Sequence, residues 1–258
     1  MIRRALALLA VLPWISALPA EEPPDAKALV ERAIAYHGGR EALVDWPDLE
    51  LKGSLEQTGR MAGRSVELLV RQRGDGAYRR ETTFDFRGSK VTATEIFDHA
   101  TCKRRFRSGW DDLPLDEPRE EAEHRIPFLL EAAERSPVFA GQGTEGDGAV
   151  WYVEVPDGRG EARLGLAKDD GRLVSIEYPG TKAEGMGTKE DVTKKAVFRD
   201  HREVGRVRLP FDQELCDDGT PDGRLRLEQV TVLDAFDGAW LEIPDQADRF
   251  VPSEELVY

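Results

Sequence analysis

From Leu49 onward the sequence alternates, and that alternation constrains the fold more than any other feature. In "LELKGSLEQ", residues 49–57, Leu49, Leu51 and Leu55 fall on one side. "RSVELLVRQR" places Val66, Leu68 and Val70 together, and "YRRETTFDF" aligns Tyr78, Thr82, Phe84 and Phe86. A period of two puts every second side chain on one face of a strand, so each segment reads as a half-buried strand. Short Gly- and Asp-rich stretches separate the strands: "GDGA", "DHAT", "KDDGR" and "CDDGTPDG". Gly and Asp at such turns supply the positive φ that tight hairpins need. About ten strands follow one another in hairpin order, and a sheet that wide has to curl or close.

Helical patterning interrupts the alternation twice. Asp25 caps a segment in which Ala26, Leu29, Val30, Ala33 and Ile34 form one apolar stripe, and Gly38 and Gly39 end it. "REALVDWP" adds a helical turn before the first strand. Midway, "LPLDEPREEAEHRIPFLLEAAERSP" is helical in character, but Pro127 bars its preceding residue from the α region. Two short helices are predicted, near 118–125 and 127–135, the second presenting Leu129, Leu130 and Ala133. The fold class is mainly β (α+β), an antiparallel up-and-down sheet with its helices on one side.

Residues 1–20, "MIRRALALLAVLPWISALPA", carry Arg3 and Arg4, an apolar run and a small-residue exit at Leu18-Pro19-Ala20. That is the pattern of a signal peptide; Pro13 interrupts the run, which is shorter than a spanning helix requires. The expectation is an exported, periplasmic protein that does not span the membrane, with 21–258 as one domain. A formal net charge of −14 opposes nonspecific binding to nucleic acid or anionic surfaces. Cys102 and Cys216 both fall beside turns, and two free, half-buried thiols are expected in preference to a disulfide.

Reactive constellations are not apparent. His37, His99, His124 and His201 lack the close spacing of a metal site. Asp218, Thr220, Asp222 and Gly223 imitate the start of a calcium loop, but Gln229 stands where a bidentate Glu is needed. There is no Gly-x-Ser-x-Gly elbow. The segments "RQR" and "KRRFR" read as solvated strand faces. No catalytic residue, metal or cofactor is expected.

What remains is the apolar face itself. Phe84, Phe86, Phe97, Trp151, Val153, Ile176, Val207, Leu209 and Phe211 can all face one way. Either they form an ordinary core under the helices, or the curved sheet outgrows its helical cover and leaves an apolar cavity. Pro210, in "RVRLPFDQEL", cannot donate to a ladder and marks an edge, a bulge or a bend.

The segments "AIAYHGGREAL", "LELKGSL", "IFDHATCKRRF", "AVWYVEVP", "LGLAKDDGRLVSIEYPG", "DHREVGRVRLPFDQEL" and "LEQVTVLDAFDGAWLEIP" resemble, in that order, the LolA-like family of outer-membrane lipoprotein-sorting proteins. The resemblance spans nearly all of residues 21–258. It implies an unclosed antiparallel β-barrel of about ten or eleven strands with a small helical lid over a hydrophobic cavity. It also implies that acyl chains of lipid or lipoprotein occupy that cavity, lined by the aromatic and aliphatic row above. Leu29, Ile34, Leu129 and Leu130 would form the lid. An envelope sensor or scaffold that binds another protein is the alternative.

Overall fold

The computed structural model describes residues 23–58, 64–106, 109–146, 148–184 and 188–243; the segment read as a signal peptide lies outside them. Two helices, α1 (Ala26–Tyr36) and α2 (Gly39–Val44), precede the first strand. The Asp25 carboxylate accepts from the Lys27 N–H at 3.0 Å and caps α1. Ala26, Leu29, Val30, Ala33 and Ile34, the apolar stripe, are all buried. Six strands follow: β1 (Leu49–Gln57), β2 (Arg64–Gln72), β3 (Tyr78–Phe86), β4 (Ser89–Phe97), β5 (Cys102–Phe106) and β6 (Gly109–Asp112). Helices α3 (Asp116–Glu123) and α4 (Phe128–Glu134) then cross over, parted by Pro127. Seven more strands follow among the described residues: β7 (Val138–Glu145), β8 (Gly148–Asp157), β9 (Gly160–Ala167), β10 (Leu173–Glu184), β11 (Thr188–Val204), β12 (Val207–Asp217) and β13 (Thr220–Val232).

All thirteen strands among the described residues belong to one sheet, ordered β6-β5-β4-β3-β2-β1-β13-β12-β11-β10-β9-β8-β7. Each half is an antiparallel meander, and the halves join where β1 pairs with β13, from Leu49↔Val232 to Gln57↔Gly223. The register slips between Lys52 and Gly53. Only glycine fits there: a Cβ on Gly53 would stand 2.0 Å from the Arg226 carbonyl oxygen. The sheet is not closed, its free edges being β6 and β7. These are the two strands beyond the ten or eleven expected. The first is four residues long, and the second alternates around two glycines, Gly141 and Gly143, with little burial. An edge of four residues and one interrupted by glycines resist edge-to-edge association and carry little hydrophobic signal.

The main core lies between α1, α2, α4 and the half of the sheet from β8 to β13. Ile34, Leu129, Leu164, Leu166 and Ile176 are at most 2% exposed. Each contributes about 1.5–3 kcal/mol by its burial. A smaller cluster joins Tyr78, Phe97 and Cys102 to Leu113, Leu115 and Ala122, at the start of the crossover.

Pro210 has a specific explanation. β12 pairs with β11 along its length, His201↔Pro210 included, but meets β13 only from Asp212 onward. Beside the unpaired half sits the end of α1. Arg208 donates its N–H to the His37 carbonyl at 3.3 Å, and the His37 ring lies 2.8 Å from the Arg208 carbonyl. Residues two apart on a strand direct their N–H groups to the same side, so the N–H that proline lacks would point into this split. Gly38, at φ 117°, lets the chain pass, because a Cβ there would stand 2.3 Å from the Arg206 carbonyl oxygen.

Candidate functional site

Where α1 and α4 stop covering the sheet, a cavity of about 850 Å³ opens. Ligand sites typically span about 300–1,000 Å³. The inward residues of β1 and β2, namely Leu49, Leu51, Leu55, Leu68 and Val70, form one wall. β13 and β12, next to them in the sheet, continue it with Leu225, Leu227, Leu209 and Leu215. These leucines are the same alternating positions that identify the strands in the sequence. The cover is α3 with the α3–α4 linker, through Glu117, Glu121, Ala122, Arg125 and Ile126.

Of the row expected to line a cavity, Leu209 reaches it. Val153, Ile176, Val207 and Phe211 are buried in the main core, and Trp151 packs at its margin against Phe139. Phe97 is fully buried against Tyr78 in the second cluster. Phe84 stacks on Phe106, a cavity-lining ring, at 5.8 Å between centroids. The side chain of Phe86 lies outside the described residues. Among the expected lid residues, Leu29, Ile34 and Leu129 are core residues and Leu130 packs against them. Strongly apolar helix faces seek the densest burial, so α1 and α4 form a fixed layer. The acidic α3, with little apolar surface to bury, is left to span the opening.

α3 is fastened down by its one buried carboxylate. Glu120 accepts from the Thr181 N–H at 2.8 Å, from the Thr181 hydroxyl at 3.0 Å, and from Arg159. Glu117 pairs with Lys194 of β11 at 2.9 Å. Just beyond α3, His124 stacks flat on Tyr178, 3.8 Å between centroids.

One wall of the cavity is charged, which the sequence reading did not anticipate. Glu95, its side chain 5% exposed, accepts from Tyr78 Oη at 2.7 Å and Arg80 Nη2 at 2.6 Å. Arg104 approaches its other oxygen with Nε at 3.0 Å and Nη2 at 2.6 Å. Burial works to raise the Glu95 pKa, but the Arg80 charge, the Tyr78 hydroxyl and Arg104 outweigh it and hold the carboxyl below its usual range. The signal was present: Arg80 falls between Tyr78 and Thr82 on the inward row, and Arg104 between Cys102 and Phe106. A charge at an inward position marks a polar lining.

Cys102 is a free thiol, pushed up to about 12 by burial, and Cys216 is also free. Neither environment activates a nucleophile. Among the described residues no group of three or more His, Cys, Asp or Glu is placed to hold a metal ion. Nor is any described helix long and apolar enough to cross a membrane.

The architecture has solved counterparts. The chain is similar to a LolA superfamily protein from Nitrosomonas europaea, with a TM-score of 0.55 at 10% identity over 84% of this chain and 97% of that one. It is similar also to an outer membrane lipoprotein-sorting protein domain from Vibrio parahaemolyticus, with a TM-score of 0.51 at 9% identity over 83% and 95%. No family model matches the sequence, and no curated protein is significantly similar to it. At such identities the likeness is one of fold: an open antiparallel sheet of LolA type, as the resemblance in the sequence implies.

Proposed function

We propose that this chain is an exported, periplasmic carrier that holds acyl chains of a lipid or lipoprotein between its curved sheet and α3. The observation that carries this reading is the cavity of about 850 Å³ walled by aliphatic side chains of β1, β2, β12 and β13. Burying an acyl chain there contributes about 0.8 kcal/mol per methylene, so the wall supplies affinity without any reactive group. The chain acts as a binder and not as an enzyme. The LolA-type fold supports the reading, since such a sheet presents its concave face to whatever lies under the lid.

The test is uptake of a fluorescent fatty acid by wild type and by Leu51→Asp and Leu68→Asp, two charges placed on the wall. Uptake by wild type and loss of about tenfold or more in affinity in both variants, with unchanged β-type circular dichroism, is the expected result. Equal uptake by all three proteins contradicts this cavity as the binding site. Partition of the precursor and mature forms between cytoplasm and periplasm checks the export.

A further inference from the structure

Two buried hydrogen-bond donors at the cavity have no partner among the described residues: Arg125 Nη1 and Trp46 Nε1. Both residues line the cavity, and both sit against the same β2–β3 turn. Arg125 presses its Nη2 toward Gly76, where a Cβ would stand 2.5 Å away, and the Trp46 carbonyl lies 2.3 Å from where a Cβ on Gly74 would be. The Arg125 guanidinium spends its Nε on the Ala122 carbonyl at 2.8 Å. The charge acting on it most is Asp75, and that carboxylate is committed elsewhere. Asp75 takes Arg73 Nε at 2.9 Å and Nη2 at 2.6 Å, and the Ala77 N–H at 3.0 Å. Burial lowers the Arg125 pKa to about 10, so it remains a cation at neutral pH.

Unpartnered buried donors are rare because each forfeits its hydration with nothing in return. The other arginines of the cavity are unlike this one. Arg80 and Arg104 share Glu95, and an anion binding to them would have to displace a buried carboxylate. Arg125 Nη1 faces no such competition; it is covered rather than paired, so a head that reaches it displaces no existing partner. Trp46 offers a second, neutral donor beside the same turn.

We propose that Arg125 and Trp46 form a headgroup subsite that selects amphiphiles with an anionic head, a carboxylate or a phosphate, over uncharged ones of equal chain length. The inference rests on the carrier reading and names its ligand class. The acyl chain lies along the β1 and β2 leucines, and the head meets the lid linker at the β2–β3 turn. One charge-assisted hydrogen bond made in this setting is enough for about tenfold discrimination.

The experiment is calorimetric titration at pH 8 with hexadecanoate, hexadecyl phosphate and hexadecanol. Wild type should prefer at least one of the two anions to hexadecanol by about tenfold or more, and the stronger of the two identifies the head. Arg125→Gln should lose that preference, binding hexadecanol and the anions alike. Wild type that binds hexadecanol as tightly as both anions overturns the headgroup subsite and leaves the carrier reading standing. Binding of none of the three overturns both. A preference that survives in Arg125→Gln removes Arg125 from the role. Should that variant fail to fold, Trp46→Phe, which deletes the indole N–H, should reduce the preference about threefold or more, and an unchanged preference counts against the subsite.

Discussion

His37 shows how one side chain joins separate parts of this fold. Its Nδ1 lies 2.8 Å from the Arg208 carbonyl, which only accepts, so Nδ1 carries the proton; Nε2 then accepts from the Leu173 N–H at 3.2 Å. Both nitrogens are satisfied in the neutral ring alone. Burial holds His37 down to about 4, and His201, 5.4 Å away between ring centroids, is held at about 4 by burial and then by His37. In the unfolded chain both rings protonate near 6.5. The unfolded state therefore binds more protons between these values. Stability is fully present above pH 6.5 and is lost as pH falls toward 4, by about 3 kcal/mol for His37. Thermal melts from pH 7.5 to 4.5 should show this fall, and His201→Phe should flatten it; an identical slope in the variant would count against the assignment. None of this is legible from a lone His before two glycines. In the sequence His37 looks like a residue at a helix end, and its partners lie 136 and 171 positions away.

At the scale of elements, the division between fixed cover and lid follows from composition. α1 and α4 bury their stripes, while α3 touches the sheet through carboxylates, Glu120 to Thr181 and Glu117 to Lys194. Glu120→Ala should therefore loosen α3 selectively. Hydrogen exchange should rise in Asp116–Glu123 and stay unchanged in Phe128–Glu134, with a loss of about 1–3 kcal/mol in urea unfolding. Equal effects on both helices would show that they open as one body. The sequence indicated eleven of the thirteen strands and both crossover helices from period and proline alone. The two it hid, β6 and β7, are the edges, where burial on one face is too slight to leave a pattern. Residues 180–184 and 188–190, in a stretch that reads as a Gly-rich connection, extend β10 and β11. Paired out to Glu184↔Thr188, they gain from cross-strand ladders what their composition lacks.

For the whole molecule, the question is which part of a common inward face becomes core and which becomes cavity. Periodicity finds the face but cannot divide it. Large aromatic and branched residues such as Val153, Ile176 and Phe211 stand out in the sequence, and they are the ones that pack under helices. The cavity is walled instead by the plainer leucines of β1 and β2, at the centre of the sheet where β1 meets β13 and α3 with its linker supplies the cover. That placement depends on β1 and β13, the first and last strands among the described residues, pairing, a contact set by no local signal. The central claim is that this cavity holds an acyl chain, and native mass spectrometry of the protein purified from its own cells, followed by analysis of an organic extract, tests it most directly. The account expects a bound species of lipid mass, released by organic solvent and depleted in Leu51→Asp. A protein of bare polypeptide mass with repeatedly clean extracts would contradict it.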